Sequence, residues 1–172
     1  MQTRQAPELE VSQWLNVDAP LSLAALKGKV IMLHAFQMLC PACVHHSIPL
    51  ARRMQATFDE EEAVVIGLHT VFENHAAMGA EALAGFIDAQ QLSFPIGIDA
   101  PDAPAGEPGN FGDGIPRTMR AYGMQGTPTL VLIDHLGKIR LHQFGQVDPL
   151  TVGASIGILL AERRMALQAR DL

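Results

Sequence analysis

The amino-acid sequence predicts an α/β domain in which an open mixed sheet is covered by helices on both faces. Three observations carry that prediction. Three apolar runs have strand length: KVIMLHAF from Lys29, EAVVIGLH from Glu62 and TLVLID from Thr129. Between them lie segments whose apolar residues recur every three or four positions, the helical period. A chain of 172 residues with 48% hydrophobic composition is also long enough to bury a core without covalent staples.

In order along the chain, Asn16 to Gly28 reads as a short hairpin or extended lead-in, because Trp14, Val17, Leu21, Leu23 and Leu26 interleave with polar residues. Lys29 to Phe36 is the best candidate for a central strand. From Pro41 to about Phe58 the period turns helical, with Val44, Ile48, Ala51 and Met54 on one face. Pro41 suits a first turn, where a missing N–H costs nothing, whereas Pro49 falls inside the helix and is expected to kink it. Glu62 to His69 is a second buried strand, Met78 to Gln90 a helix, and Phe94 to Ile98 a short strand. Asp99 to Arg117 holds four Pro and four Gly and reads as a loop, long enough to suggest a lid. Thr118 to Tyr122 makes a turn or two of helix, and Thr129 to Asp134 a third strong strand. A turn at Gly137 returns Ile139 to Phe144 as a hairpin, Pro149 to Ala161 closes the fold as a helix, and the rest is a charged tail.

The charge balance narrows the function. With 18 acidic against 12 basic residues the net charge is −6, and the basic residues are scattered apart from Arg52-Arg53 and Arg163-Arg164. Nucleic-acid binding, which starts from clustered Lys and Arg, is excluded. No segment has the roughly 18 consecutive apolar residues of a membrane span. The first twenty residues lack the apolar stretch of a secretory leader, so a cytoplasmic address is expected, or a periplasmic one if a leader has been removed.

Two cysteines make no disulfide framework, but they stand as Cys40-Pro41-Ala42-Cys43. Where a strand meets a helix, that spacing reads as a redox pair. A thiol at a helix N-terminus faces unpaired N–H groups and the positive end of the dipole, which favours its thiolate. Cysteines at i and i+3 share one helix face and can close a disulfide. Cys40 is then the exposed attacker with a lowered pKa, and Cys43 the more buried resolver. Two packed core thiols are the alternative. A zinc site from Cys40, Cys43, His45 and His46 is disfavoured, because adjacent helical residues point about 100° apart.

The strand KVIMLHAF, the Cys40–Cys43 pair and a helix broken by Pro49 resemble the active-site unit of the thioredoxin fold. Gly126-Thr127-Pro128-Thr129, followed by TLVLID and Gly137, is similar to the cis-proline loop and hairpin of that fold. Leu26-Lys27-Gly28-Lys29 and the extra helix and strand between Gly67 and Asp99 resemble the TlpA-like redoxins, grouped with the alkyl hydroperoxide reductase and thiol-specific antioxidant proteins. The resemblance implies a thioredoxin-like domain over residues 7–162, with a hairpin-like N-terminal extension, an inserted helix and strand, and a charged tail over 163–172. It also implies roles: Cys40 attacks a substrate disulfide, Cys43 resolves the mixed disulfide, and Pro128, expected cis, lies against the pair. Pro41 and Thr127 join Pro128 in substrate binding, the Thr127 backbone pairing with an extended segment.

Four positions depart from the family pattern. Leu39 stands where a Trp usually precedes the first cysteine, and Pro49 comes one residue later than the usual helix proline, which suggests a local bulge or a shifted kink. His34 replaces the buried Asp of thioredoxins, and His46 replaces a Glu of many TlpA-like proteins. Either imidazole is a candidate proton acceptor for Cys43, since histidine titrates near neutral pH. The competing reading makes His34 a satisfied core residue and His46 a solvated one. His69, Glu73, Asn74 and His75 cluster where the second strand ends and read as a polar loop rather than a metal site.

The function these residues point to is thiol–disulfide exchange with protein or small-molecule disulfides and thiols, without metal or organic cofactor. A thiol-dependent peroxidase, with Cys40 peroxidatic and Cys43 resolving, is the alternative; peroxiredoxins carry a Thr where Gln37 stands. A non-catalytic binding module is the third reading. Reduction potentials of such pairs span about −270 to −120 mV, so Pro-Ala between the cysteines does not set the direction.

Overall fold

The computed structural model describes residues 4–102 and 114–169. Six strands form one sheet: β1 (Val11–Leu15), β2 (Val30–Phe36), β3 (Ala63–His69), β4 (Ile96–Asp99), β5 (Thr129–Ile133) and β6 (Ile139–Phe144). Their spatial order is β1-β4-β3-β2-β5-β6. β2 pairs parallel with β3 and antiparallel with β5, so the sheet is mixed and β2 lies inside it. All seven residues of β2 are buried, the fate of a continuous apolar run flanked by strands on both edges and covered on both faces.

Side chains alternate across β2. Val30, Met32 and Phe36 face a core that includes Cys43, Ile48, Ala51 and Met54 of the helix region after the cysteines. That core also takes residues of α2 (Ala80–Gln90) and α4 (Pro149–Gln168). Ile31, Leu33 and Ala35 face the opposite core with Met119 and Tyr122 of α3 (Arg117–Tyr122). The α/β class, the mixed sheet and the helices on both faces are therefore present as expected.

Two boundaries are corrected. Of the hairpin or extended lead-in expected over 16–28, the hairpin is absent, since the segment contains no strand; the edge strand comes earlier, as β1, and pairs antiparallel with β4. Asn16 turns the chain in the left-handed region (φ 59°), and its amide donates to the carbonyls of Leu92 and Phe94. Beyond it, Leu21, Leu23 and Leu26 pack against the second core. The charged tail is corrected as well, because α4 continues through Gln168. Arg163 and Arg164 both grip the Glu62 carboxylate, and Arg163 Nε also donates to the Gly28 carbonyl at 2.6 Å.

The expected helix from Pro41 is interrupted where the late Pro49 demanded it. Cys43–Ser47 is a π-helical turn that runs directly into α1 (Ile48–Thr57). The Ile48 N–H closes that turn on the Cys43 carbonyl, a five-residue step that accommodates one extra residue. The structure thus shows the bulge that the position of Pro49 suggested.

The ends of the Pro- and Gly-rich loop meet at Asp99, whose carboxylate accepts from the N–H groups of Thr118 and Met119 at 2.8 and 3.0 Å. The lid expected there rests on residues 103–113, which lie outside the described residues. Among the described residues no helix is long and apolar enough to cross a membrane.

Candidate active site

β2 delivers the cysteines. Its buried run ends at Phe36, the chain bends, and the Cys40 N–H donates to the Gln37 carbonyl at 3.1 Å. Helix then begins at Pro41, and the Cys43 N–H, free in that first turn, donates to Cys40 Sγ at 3.3 Å. Cys40 is partly exposed and Cys43 buried, both as free thiols, which matches an outer and an inner member of a pair.

Their surroundings differ in electrostatics. Burial first, and then the neighbouring Cys40, push the Cys43 thiol up to about 12 against the opposing pull of the Gln37 backbone and the Thr127 side chain. The inner sulfur is thus held as a thiol near neutral pH, with two donors placed to receive its thiolate when the proton leaves.

The second expected motif closes over the first. Thr127-Pro128 is a cis peptide bond, as expected, and the Thr127 carbonyl accepts from Cys40 Sγ at 3.7 Å. Residues far apart in sequence meet because β5, which starts at Thr129, pairs antiparallel with β2. Pro41 is exposed and lines the groove beside Cys40 together with Thr127; Pro128 is buried and lines a second groove on the other side.

The two histidines separate. His34 lies on the β2 face that packs on the π turn and is fully buried. Its Nε2 lies 2.7 Å from Ser47 Oγ, and Ser47 in turn donates to the Cys43 carbonyl at 3.2 Å. His34 and Ser47 thus tie β2 to the turn that carries the Cys43 carbonyl. Burial holds the His34 pKa down to about 3, and the ring stacks on Phe36 at 5.4 Å. Its hydrogen bond goes to Ser47 rather than to a thiol, and its Nδ1 is buried without a partner among the described residues. His46 is exposed, and with His45 and Arg53 it borders the second groove, about 520 Å³ in volume.

The His69–His75 cluster disperses. His69 is buried against Phe36, with its pKa lowered to about 4 by burial. Glu73 and Asn74 reach the Cys40 groove instead. Ser47 went unnoticed in the sequence; its signal is its place one turn after Cys43, beside the late proline. Phe144 was read only as a strand end, although the β5–β6 register places it opposite Thr129 at the site.

A six-stranded mixed sheet with a Cys-x-x-Cys at a strand–helix junction and a cis-proline against it defines the thioredoxin-like redoxin class. Within that class the chain belongs to the AhpC/TSA family, whose profile matches residues 3–142. It is similar to the crystal structure of the thioredoxin-like superfamily protein SPOA0173, at 49% identity and a TM-score of 0.83 over 91% of this chain and 96% of that one. A thiol-disulfide isomerase from Corynebacterium glutamicum matches at 44% identity and a TM-score of 0.80, over 90% of this chain and 96% of that one. The thiol-disulfide oxidoreductase ResA of Halalkalibacterium halodurans is 26% identical over 129 residues, covering 74% of this chain and 61% of ResA. Protein DipZ of Mycobacterium tuberculosis is 28% identical over 152 residues, 83% of this chain but 19% of DipZ, so the chain spans about a fifth of that relative.

Proposed function

We propose that this protein is a thiol–disulfide oxidoreductase acting through the Cys40–Cys43 pair. One observation carries the reading: the outer thiol, on a groove, receives the N–H of the inner cysteine at 3.3 Å and faces the Thr127 carbonyl at 3.7 Å. The thiolate of Cys40 attacks one sulfur of a substrate disulfide, forming a mixed disulfide and releasing the other sulfur as a thiol. Cys43 loses its proton, attacks Cys40 Sγ and displaces the second substrate thiol. The substrate disulfide gains two electrons and two protons, and the cysteine pair becomes a disulfide; the reverse sequence oxidises a dithiol.

The histidines receive different parts. His34, neutral and bonded to Ser47, is a positioning residue that holds the π turn carrying the Cys43 carbonyl. His46, open to solvent three residues after Cys43, is the candidate for passing the Cys43 proton to water. Replacement by Ala tests both: loss of His46 is expected to change the pH profile of exchange, and loss of His34 to change stability.

The deciding measurement equilibrates the protein with glutathione buffers, traps thiols, and then adds hydrogen peroxide. A reversible two-electron couple between about −270 and −120 mV with slow peroxide consumption is expected. Fast peroxide turnover through a sulfenic acid on Cys40 replaces this reading with a thiol peroxidase, and absence of any Cys40–Cys43 disulfide leaves a binding module.

A further inference from the structure

Helix α4 buries one face and leaves the other apolar. Val152, Ile156, Leu159 and Leu160 enter the core, as a helix packed on a sheet requires. On the opposite face Leu150 is 81% exposed, Ile158 60% and Met165 69%, with Ala154, Gly157 and Ala161 exposed between them. An outer helix face ordinarily carries charge. Here all three charged side chains of α4 are engaged within the chain, Glu162 with Arg140, and Arg163 and Arg164 with Glu62. The stripe therefore offers a charged partner no free ion to pair with, and its complement is another apolar surface.

Gly157 is an independent sign of that complement. A Cβ there would meet nothing within 4 Å, so no contact inside this chain requires a glycine. Glycine destabilises a helix interior, and a second helix crossing closely at that position is what the missing side chain accommodates. The stripe is also symmetric in sequence. Leu150 and Met165 stand equally far from a point between Gly157 and Ile158, and so do Ala154 and Ala161. An antiparallel copy of the helix thus sets Leu150 beside Met165 and Ala154 beside Ala161, and brings Ile158 to the axis from both sides. That is the pattern of a self-complementary two-fold interface. Steps of four, three, four and four residues from Leu150 keep the stripe in line over about 22 Å of helix. Beside Ile158, Leu132, Leu141, Ser155 and Leu159 form a shallow pocket of about 160 Å³ that widens the apolar surface.

We propose that the outer face of α4 is a homodimer interface, occupied by the antiparallel α4 of a second copy of this chain. Its area sets its strength. The stripe presents roughly 400 Å² of apolar surface per copy, the size of a functional patch on a monomer. Two such patches bury less than the ~1,200 Å² of standard complexes, so the dimer is weak, with a dissociation constant on the order of 100 μM. None of the residues lining the groove beside Cys40 belongs to α4, so each copy keeps its own site.

Sedimentation equilibrium of the full chain from about 10 μM to about 1 mM tests this. The mass is expected to rise from 18.6 kDa toward twice that value. Ile158→Glu puts a charge at the axis and is expected to hold the mass at the monomer, with the disulfide-exchange rate per chain unchanged. Gly157→Gln separates the two roles of the glycine: it is expected to weaken the dimer at least tenfold while raising the melting temperature of the dilute monomer. For the register, Ala154→Cys and Ala161→Cys are each made with Cys40→Ser and Cys43→Ser. The two variants mixed are expected to cross-link under mild oxidation and each alone to stay uncross-linked, because only the mixed pair brings sulfurs within reach. A chain monomeric at the highest concentration overturns the proposal, as does a dimer that survives Ile158→Glu or cross-linking of Ala154→Cys with itself. Binding of the monomer to phosphatidylcholine–phosphatidylglycerol vesicles, lost in Ile158→Glu, assigns the stripe to a lipid surface and overturns it equally.

Discussion

Mild acid is expected to destabilise this protein through His34 by an amount that follows from its burial. The imidazole titrates near 6.5 in an unfolded chain and near 3 in the fold, where burial penalises the cation. The folded value is the lower one, so the stabilisation is complete above pH 6.5 and is lost as the pH falls from there toward 3. At pH 7.5 both states hold the ring neutral. At pH 5 the unfolded chain binds a proton that the fold refuses, a gap of 1.5 units that amounts to about 2 kcal/mol. His34→Leu removes the titration at similar volume; whatever it costs in packing is independent of pH over this range. Urea unfolding of both proteins at the two pH values isolates the term, because His69, also lowered, contributes equally to each. The unmodified protein is expected to lose about 2 kcal/mol more than the variant between pH 7.5 and pH 5. Equal losses would refute the assignment of a buried, neutral His34.

Three further outcomes follow from the geometry. Ser47→Ala leaves the buried His34 Nε2 without its hydrogen-bond partner and is expected to cost about 1–3 kcal/mol in urea unfolding, through the same π turn that carries Cys43. Cys43→Ser removes the resolving thiol, so incubation with a disulfide peptide is expected to leave a stable adduct on Cys40, seen as one added peptide mass and released by dithiothreitol; Cys40→Ser is expected to give none. Gly67→Ala places a Cβ 3.0 Å from Phe94, 3.1 Å from Ile96 and 3.2 Å from Phe36, three core side chains. Overpacking there is expected to cost about 1–3 kcal/mol, read as a lower denaturation midpoint.

The buried strands were readable because period and length are local properties. β2, β3 and β5 fall within the runs identified by apolar content, β6 matches the hairpin return read after Gly137, and the two site motifs occupy the strand ends that their order implied. β1 was misplaced because its five residues are half exposed at a sheet edge, where no apolar run marks them. The end of α4 was underestimated for a related reason. Arg163 and Arg164 look like solvated residues until Glu62, about a hundred positions earlier, is brought beside them.

Residue type and short spacing marked the cysteine pair and the class of fold, and the resemblance they carry led to the cis-proline at Pro128. The place of Pro49, one residue later than in the family it resembles, pointed to a bulge or a shifted kink, and the π turn is that bulge. What His34 does in place of the family's carboxylate depends on contacts that form only in the fold. An imidazole is near neutral in water, and burial between β2 and the cysteine turn is what depresses His34 and commits it to Ser47. The groove beside Cys40 belongs to the fold alone: Gln37 and Leu39 adjoin the cysteine, but Phe72 and Phe144 come from two distant parts of the chain, and no local pattern relates them until strand pairing brings them to one thiol.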